Sequence, residues 1–140
     1  MPFIIRQAEE KDAPALEDLF LQFSELSLQR GQTLRKIMKE TTSELLVAES
    51  NQEIVGLIHQ VFYLDPFHAG LNSYITSLFV KKPYRKKGIG SQLLKKAIEN
   101  AKKKGVIEVH VDTEENNANA IEFYQKHEFK KVGVIFERNP

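Results

Sequence analysis

Residues 74–91 read YITSLFVKKPYRKKGIGS, and this stretch decides the fold. Its first seven residues are typical of a strand, and a basic loop with two glycines then opens a helix. Five of the seven residues from 81 to 87 are lysine or arginine. The free N–H groups of the helix and the positive end of its dipole point into the turn, so this order predicts a phosphate site. Glycines at 88 and 90 would let the backbone approach the phosphate closely.

The spacing of these glycines does not match the two most familiar nucleotide motifs. No third glycine stands at the dinucleotide position, and the chain has no GxxxxGK[ST] run. A GxG sequence beside lysines is, taken alone, just as typical of a solvated basic loop. A second motif further along the chain favours the phosphate site.

The second motif is N-x-x-A-I-x-F-Y over residues 117–124. It follows a strand pattern at 106–112, and either Asn116 or Asn117 can cap the helix that it opens. A tyrosine at the end of this helix could hold its hydroxyl near a reacting centre, although such tyrosines usually belong to the core. One face of the helix carries Ala120, Ile121 and Tyr124.

In this order and at this distance, the two motifs resemble the GNAT superfamily of acyl-CoA-dependent N-acetyltransferases, and the resemblance covers most of the chain. Its most specific part is R-x-x-G-x-G at residues 85–90, after a strand that ends with LFV at 78–80. The opening IRQA at residues 5–8, followed by Asp12, resembles the family's first strand and helix. The resemblance implies an α/β fold in a single domain over residues 1–140. It implies a central twisted mixed sheet of six or seven strands, flanked by about four helices.

The resemblance also implies an activity, the transfer of an acetyl group from the cosubstrate acetyl-CoA to a primary amine by direct attack in a ternary complex, without a metal. It places the pantetheine arm of the coenzyme along the backbone of Leu78, Phe79 and Val80. It places the pyrophosphate in the loop of Arg85, Lys86, Lys87, Gly88, Ile89, Gly90 and Ser91. It assigns further coenzyme contacts to Asn117, Ala120 and Phe123.

Tyr124 would be the general acid that protonates the leaving thiolate. A phenol has a pKa of about 10, above that of a typical thiol, so proton donation to the thiolate is only modestly favourable. Tyr124 could therefore act instead by orienting the sulfur or donating a hydrogen bond to it.

The general base is the first departure from the family's pattern. Many relatives carry a carboxylate on the central strand, where this chain has Thr76 and Ser77. Neither side chain deprotonates an amine at neutral pH, so a water relay or a nearby residue must serve. His110 is the first candidate, because histidine titrates near neutral pH. The other candidates, each also typical of an ordinary strand residue, are His59, Glu49 and Glu108.

Two further departures lie near the end of the sequence. Glu128 stands where relatives usually have glycine before an aromatic residue, and a left-handed turn there would cost about 1 kcal/mol. Residues 129–137 predict one last strand, or two very short ones, where relatives often have two. A second subunit could complete the sheet edge, and we expect a homodimer.

The rest of the chain alternates between strand and helix patterns. Strands are predicted at 3–7, 44–49 and 54–63, with a hairpin turn at 50–53 and a loop at 64–73. A first helix, N-capped by Asp12, has an apolar stripe and is broken by Gly31, and a short second helix follows. The stripe is Leu16, Leu19, Phe20 and Phe23. The helix after residue 91 ends at Gly105, and its inner face is Leu93, Leu94, Ala97, Ile98 and Ala101.

Composition narrows the class of protein. The 140 residues are 41% apolar and 28% charged, as in a single globular domain. With a net charge of +1, the chain lacks the strong positive potential that is typical of nucleic-acid binders. It contains no cysteine, which excludes disulfides and thiol nucleophiles. No apolar run is of membrane-spanning length, and the first residues lack the pattern of a signal peptide. We expect a cytoplasmic enzyme with neither a nucleic acid nor a membrane as partner.

The acceptor amine is the least determined feature. In the family, the first two helices and the loop between the third and fourth strands form the acceptor site, which corresponds here to residues 20–41 and 64–73. The segment FYLDPFHAG is similar to acetyltransferases acting on polyamines. A small amine such as a polyamine is the first choice, and a protein N-terminus or lysine is the second. The third is a catalytically silent acyl-CoA-binding module, because the usual base is missing.

Overall fold

Five strands and four α-helices make up the computed structural model, which describes residues 2–25 and 29–140. The strands are β1 (Ile4–Gln7), β2 (Ser43–Ser50), β3 (Glu53–Asp65), β4 (Gly70–Val80) and β5 (Glu108–Val111). The helices are α1 (Ala13–Leu21), α2 (Arg30–Lys39), α3 (Ile89–Lys103) and α4 (Ala118–Lys126). Contacts divide the chain into two compact units, Met1–His110 and Val111–Pro140, and each is described by itself. None of the described helices is long and apolar enough to cross a membrane.

The strands form one mixed sheet in the order β1-β2-β3-β4-β5. The first four pair as antiparallel neighbours, and α3 provides the crossover from β4 to β5. The predicted fold class is confirmed. The described residues contain five strands, however, rather than the six or seven expected.

The missing strand is the one predicted at 129–137, because residues 129–140 contain neither helix nor strand. Val132, Val134 and Phe136 are 80%, 71% and 92% exposed. Alternating β-branched and aromatic residues favour a strand only when a neighbour takes the backbone hydrogen bonds and one face is buried. This segment has no such buried face, so the prediction from its pattern was wrong.

Two hairpins connect the middle of the sheet. The predicted turn between β2 and β3 is confirmed, with Asn51 and Gln52 at φ angles of 51° and 65°. The loop predicted at 64–73 is mostly wrong, because β3 runs to Asp65 and β4 starts at Gly70. Cross-strand pairs such as Leu64 with Leu71 extend the ladder, so only residues 66–69 form the turn.

Apolar side chains cover both faces of the sheet. On one face the helices α1 and α2 pack against β2 and β3, and this core contains Leu16, Leu19, Leu34, Leu45, Val47 and Leu57. On the other face α3 buries Leu93, Leu94, Ala97 and Ala101, as its spacing predicts. Each fully buried leucine contributes about 1.5–3 kcal/mol of transfer free energy, so the two faces hold the helices in place.

The first helix differs from its prediction at both ends. Asp12 is at the N-cap position, but its carboxylate accepts hydrogen bonds from Arg6 Nη1 at 2.8 Å and Glu9 N–H at 2.7 Å rather than capping α1. Gly31 does not break this helix, since α1 ends at Leu21 and Gly31 lies inside α2. A Cβ on Gly31 would lie 1.9 Å from Glu17 Oε1 of α1, the end of a flexible side chain that can move aside.

Candidate active site

The turn from β4 into α3 has the backbone shape of an anion site. Gly88 is the N-cap of α3 at a φ of 84°, and Lys86 is also left-handed at 61°. The first hydrogen bond of α3 runs from Gln92 N–H to Gly88 O at 3.0 Å. N–H groups before that bond have no carbonyl of their own helix to reach. Left-handed residues in such turns form concave sets of N–H groups that bind anions.

Two of the basic side chains in this turn, Lys81 and Arg85, contact other protein groups, and the three remaining lysines are exposed. Lys81 pairs with Glu53 at 2.8 Å, and Tyr84 donates to the same carboxylate at 2.9 Å. These partners lower the pKa of Glu53, and Glu53 in turn raises the pKa of Tyr84. Arg85 donates through Nε to Val80 O at 3.0 Å, and its guanidinium lies 5.4 Å from the centre of the Phe23 ring. The side chains of Lys82, Lys86 and Lys87 are exposed.

The end of β4 offers backbone groups on one edge. Ile107 N–H donates to Leu71 O at 2.9 Å near the start of β4, and β5 then runs for only four residues beside the eleven of β4. No other strand in the described part of the chain borders this side of β4. The backbone at Leu78 and Val80 therefore has no strand partner on that edge, as an extended pantetheine arm would require.

The side chain of Phe79 packs against two aromatic rings, one in α1 and one just after it. Its ring stacks on Phe23 at 4.4 Å between centroids and meets the edge of Phe20 at 5.5 Å. Phe79 therefore joins β4 to the α1 region through its side chain. The backbone of Phe79 pairs with Leu57 of β3.

A β-bulge interrupts β4 in the middle. His59 of β3 pairs with Ser77, but the next residue, Gln60, pairs with Ile75, so Thr76 is an extra residue. The Thr76 hydroxyl lies 2.5 Å from His59 Nδ1. The sequence contained His59 as a candidate base but no signal of the bulge, because a bulge is defined by cross-strand register and not by local pattern.

His110, the first candidate base, lies on β5 beside a carboxylate. Its Nε2 is 3.1 Å from Glu108, as strand alternation predicts. The same Glu108 lies 3.3 Å from His68 in the β3–β4 turn, and His68 also contacts Asp65. Asp65, followed by Glu108, raises the pKa of His68, and His68 lowers the pKa of Asp65. His110 therefore lies at one end of a row of side chains that continues through Glu108 and His68 to Asp65.

In the unit Val111–Pro140, α4 carries the second motif. Asn117, rather than Asn116, caps α4, because its side chain accepts a hydrogen bond from Ala120 N–H at 3.1 Å. Ala120, Ile121 and Tyr124 are all half-buried, so they share one face as predicted.

The Tyr124 ring has aromatic neighbours on both sides along the chain. Its centroid lies 5.3 Å from that of Phe123 and 5.6 Å from that of Phe129. Burial raises the pKa of Tyr124, and the charge of Asp112 raises it further. The phenol is therefore a weaker acid than an exposed tyrosine and a poorer proton donor to any partner.

Sequence comparisons agree with these features. The profile described as the Acetyltransferase (GNAT) family matches residues 7–129. The chain is 30% identical to N-acetyltransferase 8 of Homo sapiens over 102 residues, which are 73% of this chain and 45% of that protein. It is 29% identical to the uncharacterized N-acetyltransferase YhfO of Bacillus subtilis over 133 residues, 91% of this chain and 89% of that one. The chain thus spans less than half the length of the human relative.

Solved structures have the same fold. The structure of AAC(6')-Iy in complex with the bisubstrate analogue CoA-S-monomethyl-acetylneamine superposes with a TM-score of 0.88. The match covers 100% of this chain and 99% of that one, at 18% sequence identity. At this identity the likeness concerns the fold alone.

Proposed function

Because the chain belongs to the Acetyltransferase (GNAT) family, we propose that it transfers an acetyl group from acetyl-CoA to the primary amine of a small molecule. The amine attacks the thioester directly while both substrates are bound. The observation that carries this proposal is the turn between β4 and α3, with its left-handed Gly88 and exposed lysines.

The turn would hold the pyrophosphate of the coenzyme. Backbone N–H groups of residues 86–90 would supply donors, and the N-terminus of the fifteen-residue helix α3 adds a partial positive charge. Lys86 and Lys87 would neutralise the phosphate charge from the solvent side. Arg85 would contribute long-range charge, since its N–H donates to Lys82 O and its side chain contacts Val80 and Phe23.

The open edge of β4 would hold the pantetheine arm. An extended ligand that adds to a strand edge forms main-chain hydrogen bonds, and the backbone at Leu78 and Val80 is placed to form them. Running from the turn towards Leu78, this arm would bring the thioester towards the middle of β4. The coenzyme would thus contact two neighbouring features, the edge of β4 and the turn into α3, and both lie within residues 78–91.

Roles for α4 come from the family resemblance. Asn117, which caps the helix, would be a coenzyme contact, and so would Ala120 and Phe123. Tyr124 would donate a hydrogen bond to the sulfur as the C–S bond breaks. Ala120, Phe123 and Tyr124 are half-buried, and Asn117 is exposed.

Two glycines at opposite ends of α3 allow a matched test of the coenzyme site. Gly88 and Gly105 have φ angles of 84° and 85°, and a Cβ on either would meet no atom within 4 Å. Alanine at either position should therefore cost a similar 1–2 kcal/mol, roughly, from left-handed strain. Only Gly88→Ala should also weaken acetyl-CoA binding, by tenfold or more, about 1.4 kcal/mol.

Isothermal titration of acetyl-CoA into both folded variants gives the answer. Thermal unfolding of each variant shows whether the two stability losses match, which makes Gly105→Ala the control for helix damage. Equal coenzyme affinity in the two variants would reject the pyrophosphate site.

The acceptor would be a small amine such as a polyamine or an amino sugar. Of the acceptor segments, residues 20–41 include Leu26, Ser27 and Leu28, which lie outside the described residues, and 64–73 is mostly hairpin. A panel of spermidine, kanamycin, glucosamine 6-phosphate, free amino acids and a peptide with a free N-terminus should separate the substrate classes. Release of CoA thiol is the measurement.

A catalytically silent coenzyme-binding module is the second candidate function. It is favoured by one observation, that Thr76 and Ser77 provide no carboxylate on the central strand. The same panel decides between the two functions. Tight binding of acetyl-CoA without thiol release for any amine would establish the silent module.

We also propose that the chain forms a homodimer. The support is the exposed apolar set of the last segment, Val132, Val134, Ile135 and Phe136. A second copy could bury these side chains. Sedimentation equilibrium should give twice the mass of 16.1 kDa, and Phe136→Ser should shift the equilibrium towards the monomer.

A further inference from the structure

His59 is a buried histidine with one polar contact. The residue is 9% exposed in the middle of β3, and its Nδ1 lies 2.5 Å from Thr76 Oγ1. Its other ring nitrogen, Nε2, is buried and has no hydrogen-bond partner among the described residues. Buried polar atoms are normally paired, so the position of this ring calls for a reason beyond packing.

His59 and Thr76 lie on the face of the sheet opposite to α3. Gln60, the next residue, points to α3, where its Nε2 donates to Ala97 O at 2.9 Å. Side chains alternate along a strand, so His59 and Leu57 point to the opposite face, and Leu57 packs in the α1 and α2 core. Thr76 is exposed because it is the extra residue of the bulge. Its hydroxyl therefore contacts a buried imidazole while remaining open to an incoming molecule.

We propose that Thr76 and His59 together accept the proton of the attacking amine. The proposal rests on the acetyltransferase function above and deepens it, since it fills the place of the missing carboxylate. Thr76 is the catalytic residue that touches the amine, and His59 acts through it. Sequence alone favoured His110, which lies beside Glu108 and has no hydroxyl contact of this kind.

The proton and electron balance of the step is complete. The amine nitrogen forms a bond to the acetyl carbon, and the C–S bond breaks with its electron pair on sulfur. One N–H proton moves to Thr76 Oγ1 while the hydroxyl proton moves to His59 Nδ1, which leaves an imidazolium. The thiolate takes a proton from solvent, and the imidazolium later releases its extra proton to solvent.

The surroundings keep His59 neutral before the reaction. Burial lowers the pKa of its imidazole, and the Glu40 carboxylate beyond α2 is the one charge among the described residues that opposes this shift. A neutral ring is ready to accept a proton at neutral pH. Glu40 would then stabilise the imidazolium as it forms.

The kinetic test uses Thr76→Val, which keeps the side-chain shape and removes the hydroxyl. Thr76→Val and His59→Gln should each lower kcat/KM about a hundredfold for the best amine of the panel, a scale typical of lost proton transfer. In the wild-type protein we expect kcat/KM to fall as the pH drops below 6.5, and each of these two variants should abolish that fall. Ser77→Ala removes the neighbouring hydroxyl of β4 and should leave kcat/KM within twofold. Acetyl-CoA affinity by titration should stay constant in all three variants.

Retention of more than half the wild-type kcat/KM by Thr76→Val would overturn the relay, and so would an acid limb lost only in His110→Ala. Because Thr76 is exposed, its variant is expected to fold even if His59→Gln does not.

A second measurement does not depend on turnover. Long-range ¹H–¹⁵N correlation of the His59 ring should show a proton on Nε2 and none on Nδ1, because Nδ1 must accept from Thr76. A proton on Nδ1 would overturn the relay. Failure of the proposed function looks different, since wild-type protein would then release no thiol with any amine, whatever the ring tautomer.

Discussion

Glu128 occupies a backbone conformation that is unfavourable for its side chain. Its φ is 70°, which confirms the left-handed turn expected where relatives usually have glycine. The turn follows α4, and Glu128 N–H donates to Gln125 O at 3.0 Å. A residue with a Cβ carries about 1 kcal/mol of strain or more in this region, so the chain is less stable here than it could be.

Glu128→Gly should therefore raise the free energy of unfolding by about 0.5–1 kcal/mol, since glycine's extra freedom in the unfolded chain offsets part of the relief. Glu122→Gly is the control, because Glu122 is exposed in the regular helix α4 and the same exchange there should lower stability by about 1 kcal/mol. Urea unfolding of both variants measures the two shifts. Shifts of the same sign would contradict the assignment of strain to Glu128.

Burial raises the pKa of Tyr124, whereas the raised pKa of Tyr84 comes from its hydrogen bond to Glu53. If the Tyr124 hydroxyl acts on the sulfur, Tyr124→Phe should lower kcat by about tenfold to a thousandfold, with little change in acetyl-CoA affinity. Because its pKa lies above 10, wild-type kcat should show no limb from this residue between pH 6 and 9. Tyr63→Phe, at an exposed position on β3, is the control. If kcat of Tyr124→Phe stays within twofold of wild type, the hydroxyl does not act on the sulfur and Tyr124 contributes only packing.

At the scale of elements, the β3–β4 hairpin is tied to β5 by His68. The ring lies between Asp65 of its own turn and Glu108 of β5, and Asn72 also donates to Asp65 at 3.0 Å. Proline, glycine and aspartate in the segment predicted a loop, yet strand pairing continues almost to the turn. A doubly paired imidazolium therefore joins two elements that are far apart in the chain.

This tie should make stability depend on pH in a defined window. The raised pKa of His68 gives stability that is complete below about 6.5 and is lost as pH rises through the folded pKa. The lowered pKa of Asp65 gives stability that is present above about 3.9 and is lost as pH falls through its folded pKa. His68→Asn should therefore lose the most stability near pH 5.5 and the least near pH 8.5.

Urea midpoints of wild type and His68→Asn at the two pH values measure this difference. Comparison of the two proteins cancels the opposite effect of buried His59, whose lowered pKa destabilises the fold in acid. A stability difference that is independent of pH would mean that His68 contributes only packing.

At the scale of the whole molecule, the parts predicted from sequence are those with local causes. Helix α3 begins after left-handed Gly88 and ends before left-handed Gly105, and Asn117 caps α4. In each case one residue acts on the backbone beside it, either through the left-handed conformation of a glycine or through the capping side chain of an asparagine. The turn between β4 and α3, which we propose as the pyrophosphate site, has the same kind of local signal in left-handed Gly88.

The parts that sequence could not predict depend on partners distant in the chain. Gly31 lies buried within α2 beside Glu17 of α1, and the hairpin is long because Leu64 and Leu71 pair. The strand pattern at 129–137 indicated a strand that has no neighbour. The pairing of His59 with Thr76 required the register of two strands, so the choice between His59 and His110 could not be made from spacing.

The bulge in β4 also bears on how this protein could change over generations. Thr76 lies between two intact registers, Ile75 with Gln60 and Ser77 with His59. Loss of its single codon would restore an unbroken ladder and leave Phe79 on the side of α1, so we expect the shortened chain to fold and to bind acetyl-CoA. The hydroxyl beside His59 would be gone. A lineage could thus pass from enzyme to coenzyme-binding protein in one genetic event, and purified protein lacking Thr76 should show binding without acetyl transfer.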